Sequence, residues 1–156
     1  MLDLEKLTAR DLTFLSRQAA EECESRLRRI AAASEPGDVA LQDLLRSMAR
    51  DAWIQIQAFS DDIVEPPFGS SRRRAPDGAR EFIRASLPSL TKSFGEGTLH
   101  RDNALFYAET LEEEACRFYR MLAEHAREAD IRSRFAELSD RERGKMRFLR
   151  EVVLQD

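Results

Sequence analysis

The stretch LFYAETLEEEACRFYRML, residues 105–122, decides the fold class of this chain. Its apolar residues recur three or four positions apart, a spacing that places side chains on one face of an α-helix. They are Leu105, Ala108, Leu111, Ala115, Phe118, Tyr119 and Leu122. Charged residues lie between them, so the segment predicts an amphipathic helix whose apolar face packs on a hydrophobic core.

The same helical period occurs in three further segments, and no stretch alternates in the manner of a β-strand. The four predicted helices cover about 8–33, 38–60, 102–128 and 130–154. Thr8, with Asp11 three residues later, is a start signal of the capping-box kind. Asp38 and Asp130 are candidate caps for the second and fourth helices. The fold class is therefore predicted to be all-α.

A segment of different composition separates the two predicted helical pairs. Residues from about 62 to 101 are rich in Pro, Gly and Ser, with a short helix predicted near Arg80 to Leu87. So long a connection is unusual in a compact domain, but it suits a four-helix bundle in which a crossover joins two helical hairpins. We expect residues 1–156 to form a single domain of this kind.

Charge and composition exclude several classes of protein. The chain has 25 Lys+Arg and 29 Asp+Glu, and its net charge of −4 argues against a protein that coats nucleic acid. No segment approaches the roughly 18 apolar residues of a membrane helix, and the start is not expected to act as a signal peptide. Two cysteines are too few for a disulfide scaffold. The expectation is a soluble cytoplasmic protein with no nucleic-acid or membrane partner.

Two carboxylates fall on apolar helix faces. Glu112 lies on the apolar face of residues 105–122, and Glu142 lies four residues from both Leu138 and Met146. A carboxylate that points into a bundle is costly unless it is paired, protonated or bound to a metal. Glu residues on adjacent helices, with His three residues after a Glu, are how carboxylate-bridged metal sites are built.

Two motifs follow one another around these carboxylates: EEEACRFY, residues 112–119, and FAELSDRE, residues 135–142. The first is similar to the E-x-x-A-x-x-x-Y motif of the rubrerythrin branch of the ferritin-like superfamily. The second is similar to the stretch that leads into that family's E-x-x-H motif. The resemblance covers about residues 104–153 and implies a ferritin-like bundle, a homodimer and a di-iron centre that handles peroxide or iron.

Carried over by position, Glu112 would be the single-Glu ligand of the third helix and Glu142 the Glu of the fourth-helix motif. The family's His falls on Lys145, whose protonated ammonium cannot bind a metal. When the first hairpin is aligned on the second, the corresponding ligand positions are Ala20, Ala52 and Gln55, or Glu21, Asp51 and Ile54 after a shift of one residue. The resemblance therefore implies a largely lost di-iron site.

Three interpretations of these side chains are open. In the first, Lys145 reaches into the site and its ammonium replaces the cation that Glu112 and Glu142 require, so that no cofactor is bound. In the second, iron or another metal binds a reduced set that includes a neighbour such as Glu21 or Glu109. In the third, Glu142 and Lys145 point outward as ordinary surface charges.

The incomplete ligand set favours a non-catalytic protein that acts through protein interactions. The alternative is a metal-binding oxidoreductase or peroxidase of the rubrerythrin type. The basic run Arg72-Arg73-Arg74 is predicted to be a solvated loop. Apolar residues near the crossover are candidates for the homodimer contact: Phe68, Phe82, Ile83 and Phe94.

The remaining candidate side chains are predicted to be structural. Cys23 and Cys116 are expected to be buried free thiols at helix–helix seams. Tyr119 and Trp53 are expected to be core aromatic residues, which is the usual role of aromatic side chains on bundle faces.

Overall fold

The computed structural model describes residues 2–62 and 76–154, and every element longer than one turn in these segments is an α-helix. The helices are α1 (Ala9–Ala33), α2 (Val39–Asp62), α3 (Ala79–Ser86), α4 (Arg101–His125) and α5 (Ala129–Leu154). Single 3-10 turns cover Leu4–Lys6 and Pro88–Leu90. The predicted all-α class is confirmed. Among the described helices, none combines the length and the apolar character needed to cross a bilayer.

The long helices pack in two pairs. α1 lies along α2, α4 lies along α5, and the contact between α1 and α4 joins the two pairs. The core between them is apolar, and its largest members have almost no exposed surface. They include Leu15, Leu27, Leu45, Leu105, Leu111 and Phe135. This packing is how four amphipathic helices bury their apolar faces against one another.

Local hydrogen bonds explain where the first two helices begin. Thr8 Oγ1 accepts from the Asp11 backbone N–H at 3.1 Å, and Asp11 Oδ2 accepts from the Thr8 N–H at 3.0 Å. The predicted capping box is therefore present at the start of α1. At the start of α2, Asp38 Oδ1 accepts from the Leu41 N–H at 3.2 Å, as expected of a helix cap.

The turn between α4 and α5 differs from the prediction. α4 ends at His125, whereas the sequence pattern predicts helix to about residue 128. The Arg132 guanidinium donates to the Ala126 carbonyl at 3.2 Å, which satisfies a backbone acceptor at the helix end and stabilises an early turn. α5 then begins at Ala129, so that Asp130 lies inside its first turn and is not its cap.

The crossover is held against the bundle by its own short helix. α3 covers Ala79–Ser86, close to the helix predicted near Arg80 to Leu87. At the far end of the crossover, the Leu99 N–H donates to the Ala33 carbonyl at 2.7 Å. This bond ties the crossover to the end of α1 just before α4 begins.

The apolar side chains of the crossover belong to the core of this chain. Ile83 is fully buried, and Phe82 and Phe94 are partly buried against the core. The expectation that they form a contact between two copies is wrong for Ile83, because burying it within its own bundle leaves it no surface to share. Phe68 and Arg72–Arg74 lie outside the described residues.

Candidate functional site

Glu112 of α4 and Glu142 of α5 both lie inside the protein. Glu112 is 2% exposed and Glu142 is 4% exposed. Leu138 and Met146, one turn before and after Glu142, are buried on the same face of α5. The interpretation in which Glu142 points outward as a surface charge is therefore wrong.

Lys145 is the partner of Glu142. Its Nζ atom lies 3.2 Å from Glu142 Oε1, one turn away along α5, and the Lys145 side chain is only 14% exposed. Burial raises the pKa of the Glu142 carboxyl, while the charge and the hydrogen bond of Lys145 act in the opposite direction. The ammonium thus favours the ionised form of a carboxylate that the interior alone would drive towards protonation.

A thiol on α1 lies within electrostatic reach of this ion pair. Burial raises the pKa of Cys23, the charge of Glu142 raises it further, and the charge of Lys145 opposes both. The thiol is free and buried, as predicted. A thiol whose pKa is raised stays protonated at neutral pH, and the protonated form is a poor nucleophile and a poor metal ligand.

Tyr119 extends the same buried region along α4. Burial raises the pKa of its phenol, and the proximity of Cys23 adds to the rise. Its ring packs edge-to-face on Phe118, with 5.8 Å between ring centroids, so the prediction of a core aromatic residue is confirmed. Trp53 differs: it is partly buried, and the Arg17 guanidinium lies 5.9 Å from its ring centroid.

Glu112 has no comparable partner for one of its oxygens. Its Oε2 atom is buried and makes no hydrogen bond in the structure. A buried polar atom left in this state carries a desolvation penalty of about 1–3 kcal/mol. The sequence predicts that Lys145 stands beside both carboxylates, and the ion pair observed is the one with Glu142.

The corresponding positions of the first hairpin carry small apolar side chains. Ala20 has no exposed surface and Ala52 is also buried. Neither offers a donor atom to a metal. The side chain of Gln55 lies outside the part of the chain that the structure describes.

The neighbours considered as additional ligands are engaged elsewhere. Glu21 is exposed and pairs with Arg17 at 3.8 Å, and Glu109 pairs with Arg150 across the α4–α5 seam. On α2, the shifted ligand positions Asp51 and Ile54 are both exposed. The second interpretation is thus left with Glu112 and Glu142 as its principal ligands.

This donor set does not fit a di-iron centre of the rubrerythrin kind. Such a centre uses four Glu and two His from four helices. The buried donors here are one ion-paired carboxylate, a second carboxylate on α4 and a protonated thiol, and the His position carries an ammonium. Within residues 2–62 and 76–154, no three His, Cys, Asp or Glu side chains cluster as metal ligands do.

Comparison with other proteins leaves the family open. No family model, curated protein or solved structure matches this chain. The rubrerythrin-like assignment therefore stays a prediction from the two sequence motifs.

A third buried glutamate was not singled out from the sequence. Both oxygens of Glu114 accept from the Ser89 backbone N–H, at 3.0 and 3.1 Å, and Oε1 also accepts from Ser89 Oγ at 2.9 Å. This contact fastens the turn Pro88–Leu90 to α4. The signal was present, because Glu114 lies three residues after Leu111 and four before Phe118, at the spacing of a shared helix face.

Cys116 lies at the seam between α4 and α5. Its thiol is 3.3 Å from the Ser139 carbonyl oxygen, and Ser139 Oγ donates back to the Cys116 carbonyl at 3.0 Å. The predicted buried thiol at a helix–helix seam is confirmed, and its surroundings are those of a packing residue.

Proposed function

We propose that this protein is a cytoplasmic, ferritin-like four-helix bundle of the rubrerythrin kind that has lost its di-iron centre and has no catalytic role. Its function is then carried by protein interaction, with a homodimer as the first assembly to test. The observation that carries this proposal is the buried contact of 3.2 Å between Lys145 Nζ and Glu142 Oε1. Those two residues stand where the resemblance puts the Glu and the His of a metal-binding motif.

The chemistry of the pair supports this proposal. A carboxylate in the interior needs a positive charge beside it, and a tethered ammonium supplies that charge as a metal ion would. Lys145 and Glu142 are three residues apart on one helix, so the pair forms together with α5 and takes nothing from solution. An ammonium also occupies the carboxylate oxygen that a metal would bind.

A second candidate is a metal-dependent oxidoreductase or peroxidase with a reduced ligand set. The buried Glu112 Oε2 atom favours it, because an unsatisfied buried carboxylate oxygen is an atom to which a cation would bind. In this function Glu112 and Glu142 would hold iron or another divalent cation, and Lys145 would leave Glu142.

Elemental analysis separates the two candidates. The full chain is expressed in medium supplemented with iron and manganese, purified without chelators and measured for metal per chain. We expect no stoichiometric metal. About two metal ions per chain would contradict the proposal outright, and about one per chain would favour the second candidate.

A Glu112→Gln variant is the matched control for that measurement. If metal is found and the variant loses it, the metal is bound through Glu112. If the variant keeps the metal, the ion is held elsewhere on the chain and the second candidate fails as well.

A further inference from the structure

A pocket of about 190 Å³ lies between α1, α3 and the turn Pro88–Leu90, formed by residues that the ion-pair site does not use. Three guanidinium groups, two hydroxyls and one carboxylate line it. They belong to Arg26, Arg29, Arg84, Ser25, Thr91 and Glu22. Pockets for drug-sized ligands start at about 300 Å³, so this one has room for a small ligand. Its lining is strongly positive in a protein whose net charge is −4.

Arg26 is held in place at the inner wall of the pocket. The residue is 4% exposed, its Nη2 atom donates to the Lys92 carbonyl, and its guanidinium lies 3.8 Å from the centroid of the Phe94 ring. Burial lowers the pKa of Arg26 and the charge of Arg29 lowers it further, yet a guanidinium remains protonated at neutral pH. The pocket therefore contains a fixed, desolvated positive charge.

Arg29 and Arg84 add positive charge at the solvent-exposed rim of the pocket. Both are exposed, and neither makes an ion pair with any residue in the described segments. The adjacent Arg28 is different, because it pairs with Glu24 one turn earlier at 3.0 Å. Arg29 has Ser25 at the equivalent position, so α1 itself provides no acidic partner for it.

One oxygen of the Glu22 carboxylate has no hydrogen-bond donor beside it. Its Oε2 atom is buried and has no hydrogen-bond partner in the structure. A ligand that carries both an oxyanion and a hydroxyl proton would satisfy the guanidinium groups and this carboxylate together.

We propose that this pocket binds the phosphate group, either as inorganic phosphate or as a small phosphomonoester. Arg26, Arg29 and Arg84 donate to its oxygens, and Glu22 accepts the P–OH proton, which hydrogen phosphate carries at neutral pH and a phosphomonoester carries as its monoanion. Guanidinium groups match phosphate oxygens in geometry as well as in charge. This site is independent of the proposed function, because none of its residues belongs to the Lys145–Glu142 pair.

Sulfate provides the discriminating comparison. It has the size and shape of phosphate but carries no proton at neutral pH, so it would face the Glu22 carboxylate without a hydrogen bond. We expect phosphate to bind at least tenfold more tightly than sulfate. In a Glu22→Gln variant that ratio is expected to fall towards one, because an amide can donate to either anion.

Isothermal titration of the full chain at low ionic strength tests the site with inorganic phosphate, glycerol 3-phosphate and sulfate as probes. Tighter binding of the ester identifies a phosphomonoester as the ligand class, and tighter binding of the free anion identifies phosphate itself. Arg84→Gln is expected to weaken binding at least tenfold, and Arg29→Gln is a second variant that tests the same loss of a guanidinium group from the pocket. Arg80→Gln is the matched control, because Arg80 is exposed on the same helix and does not line the pocket.

Circular dichroism of each variant confirms that the helices are intact. Absence of saturable binding below about 10 mM phosphate would overturn the proposal. Equal weakening by Arg80→Gln and Arg84→Gln would also overturn it, because the effect would then be general electrostatics. Sulfate binding as tight as phosphate in the unmodified protein would overturn the role of Glu22 and with it the assignment to phosphate.

Discussion

The two helical hairpins carry different types of side chain at equivalent buried positions. On the alignment of the hairpins, Ala20 of α1 corresponds to Glu112 of α4, and Ala52 of α2 corresponds to Glu142 of α5; all four are buried. The first hairpin fills these positions with methyl groups, whereas the second fills them with carboxylates, one of which carries its own counter-ion, Lys145. Burial at such a position is thus compatible with either chemistry, and for Glu142 the chain itself supplies the compensating charge.

The largest effect is expected from making the first hairpin resemble the second. Ala20→Glu would put a carboxylate at a position with no exposed surface and no matching lysine. We expect a loss of about 4 kcal/mol in the free energy of unfolding, measured by urea denaturation. Ala32→Glu on the exposed side of α1 is the control and is expected to change little. Equal stability of the two variants would contradict the comparison.

Removing the counter-ion from the second hairpin is expected to have the next largest effect. Lys145→Met keeps most of the side-chain length and leaves Glu142 buried without its partner. The expected loss at neutral pH is about 3 kcal/mol in urea denaturation. Arg147→Met, at an exposed position two residues along α5, serves as the control. An unchanged midpoint for Lys145→Met would show that the pair does not hold Glu142 in its charged form.

The raised pKa of Glu142 is expected to make the stability of the protein depend on pH. Burial raises the pKa of Glu142 above its ordinary value of 4.5, so the folded state binds a proton more tightly than the unfolded state. The contribution of Glu142 to stability is therefore fully present below pH 4.5 and is lost as the pH rises through the raised pKa. The limiting slope is about 1.4 kcal/mol per pH unit.

The check is the free energy of unfolding of the unmodified protein minus that of Glu142→Gln, measured from below pH 4.5 upward. This difference is expected to decrease as the pH rises. When Lys145→Met is added to both proteins, the decrease is expected to continue to higher pH, because Lys145 opposes the rise in the pKa of Glu142. A difference that does not vary with pH would mean that Glu142 titrates alike in the folded and unfolded states.

The smallest expected effect is a gain. Glu112→Met replaces a carboxylate that has a buried, unpartnered oxygen with an apolar side chain of similar length. We expect the free energy of unfolding to rise by about 1 kcal/mol, read as a higher melting temperature. Glu113→Met, at an exposed position next to it, is the control. A clear loss of stability in Glu112→Met alone would indicate that Glu112 has a bound partner in solution.

The helices and the buried charges could be predicted because both depend on local spacing. A period of three to four residues identifies the faces of α1, α4 and α5, and the same spacing puts Glu142 among apolar neighbours and Lys145 one turn from it. The capping box of Thr8 and Asp11 is equally local.

Two of the features that were missed depend on contacts that the period of the helices does not contain. Where α4 ends at His125, the Arg132 side chain reaches back from the next helix to the Ala126 carbonyl. The pocket lined by Arg26, Arg29 and Arg84 forms because the crossover places α3 beside α1. No period along either helix predicts that the two helices lie together. The pocket requires the path of the whole crossover, which the helical pattern does not contain.

The central claim is that the folded protein supplies its own positive charge to Glu142 and needs no metal. The most direct test is the melting temperature of the full chain after treatment with a chelator, compared with that of the same protein in excess ferrous iron under anaerobic conditions. A ligand that binds the folded state alone raises the melting temperature. The account predicts that the two temperatures coincide. A rise of several degrees with iron that disappears in Glu112→Met would contradict it.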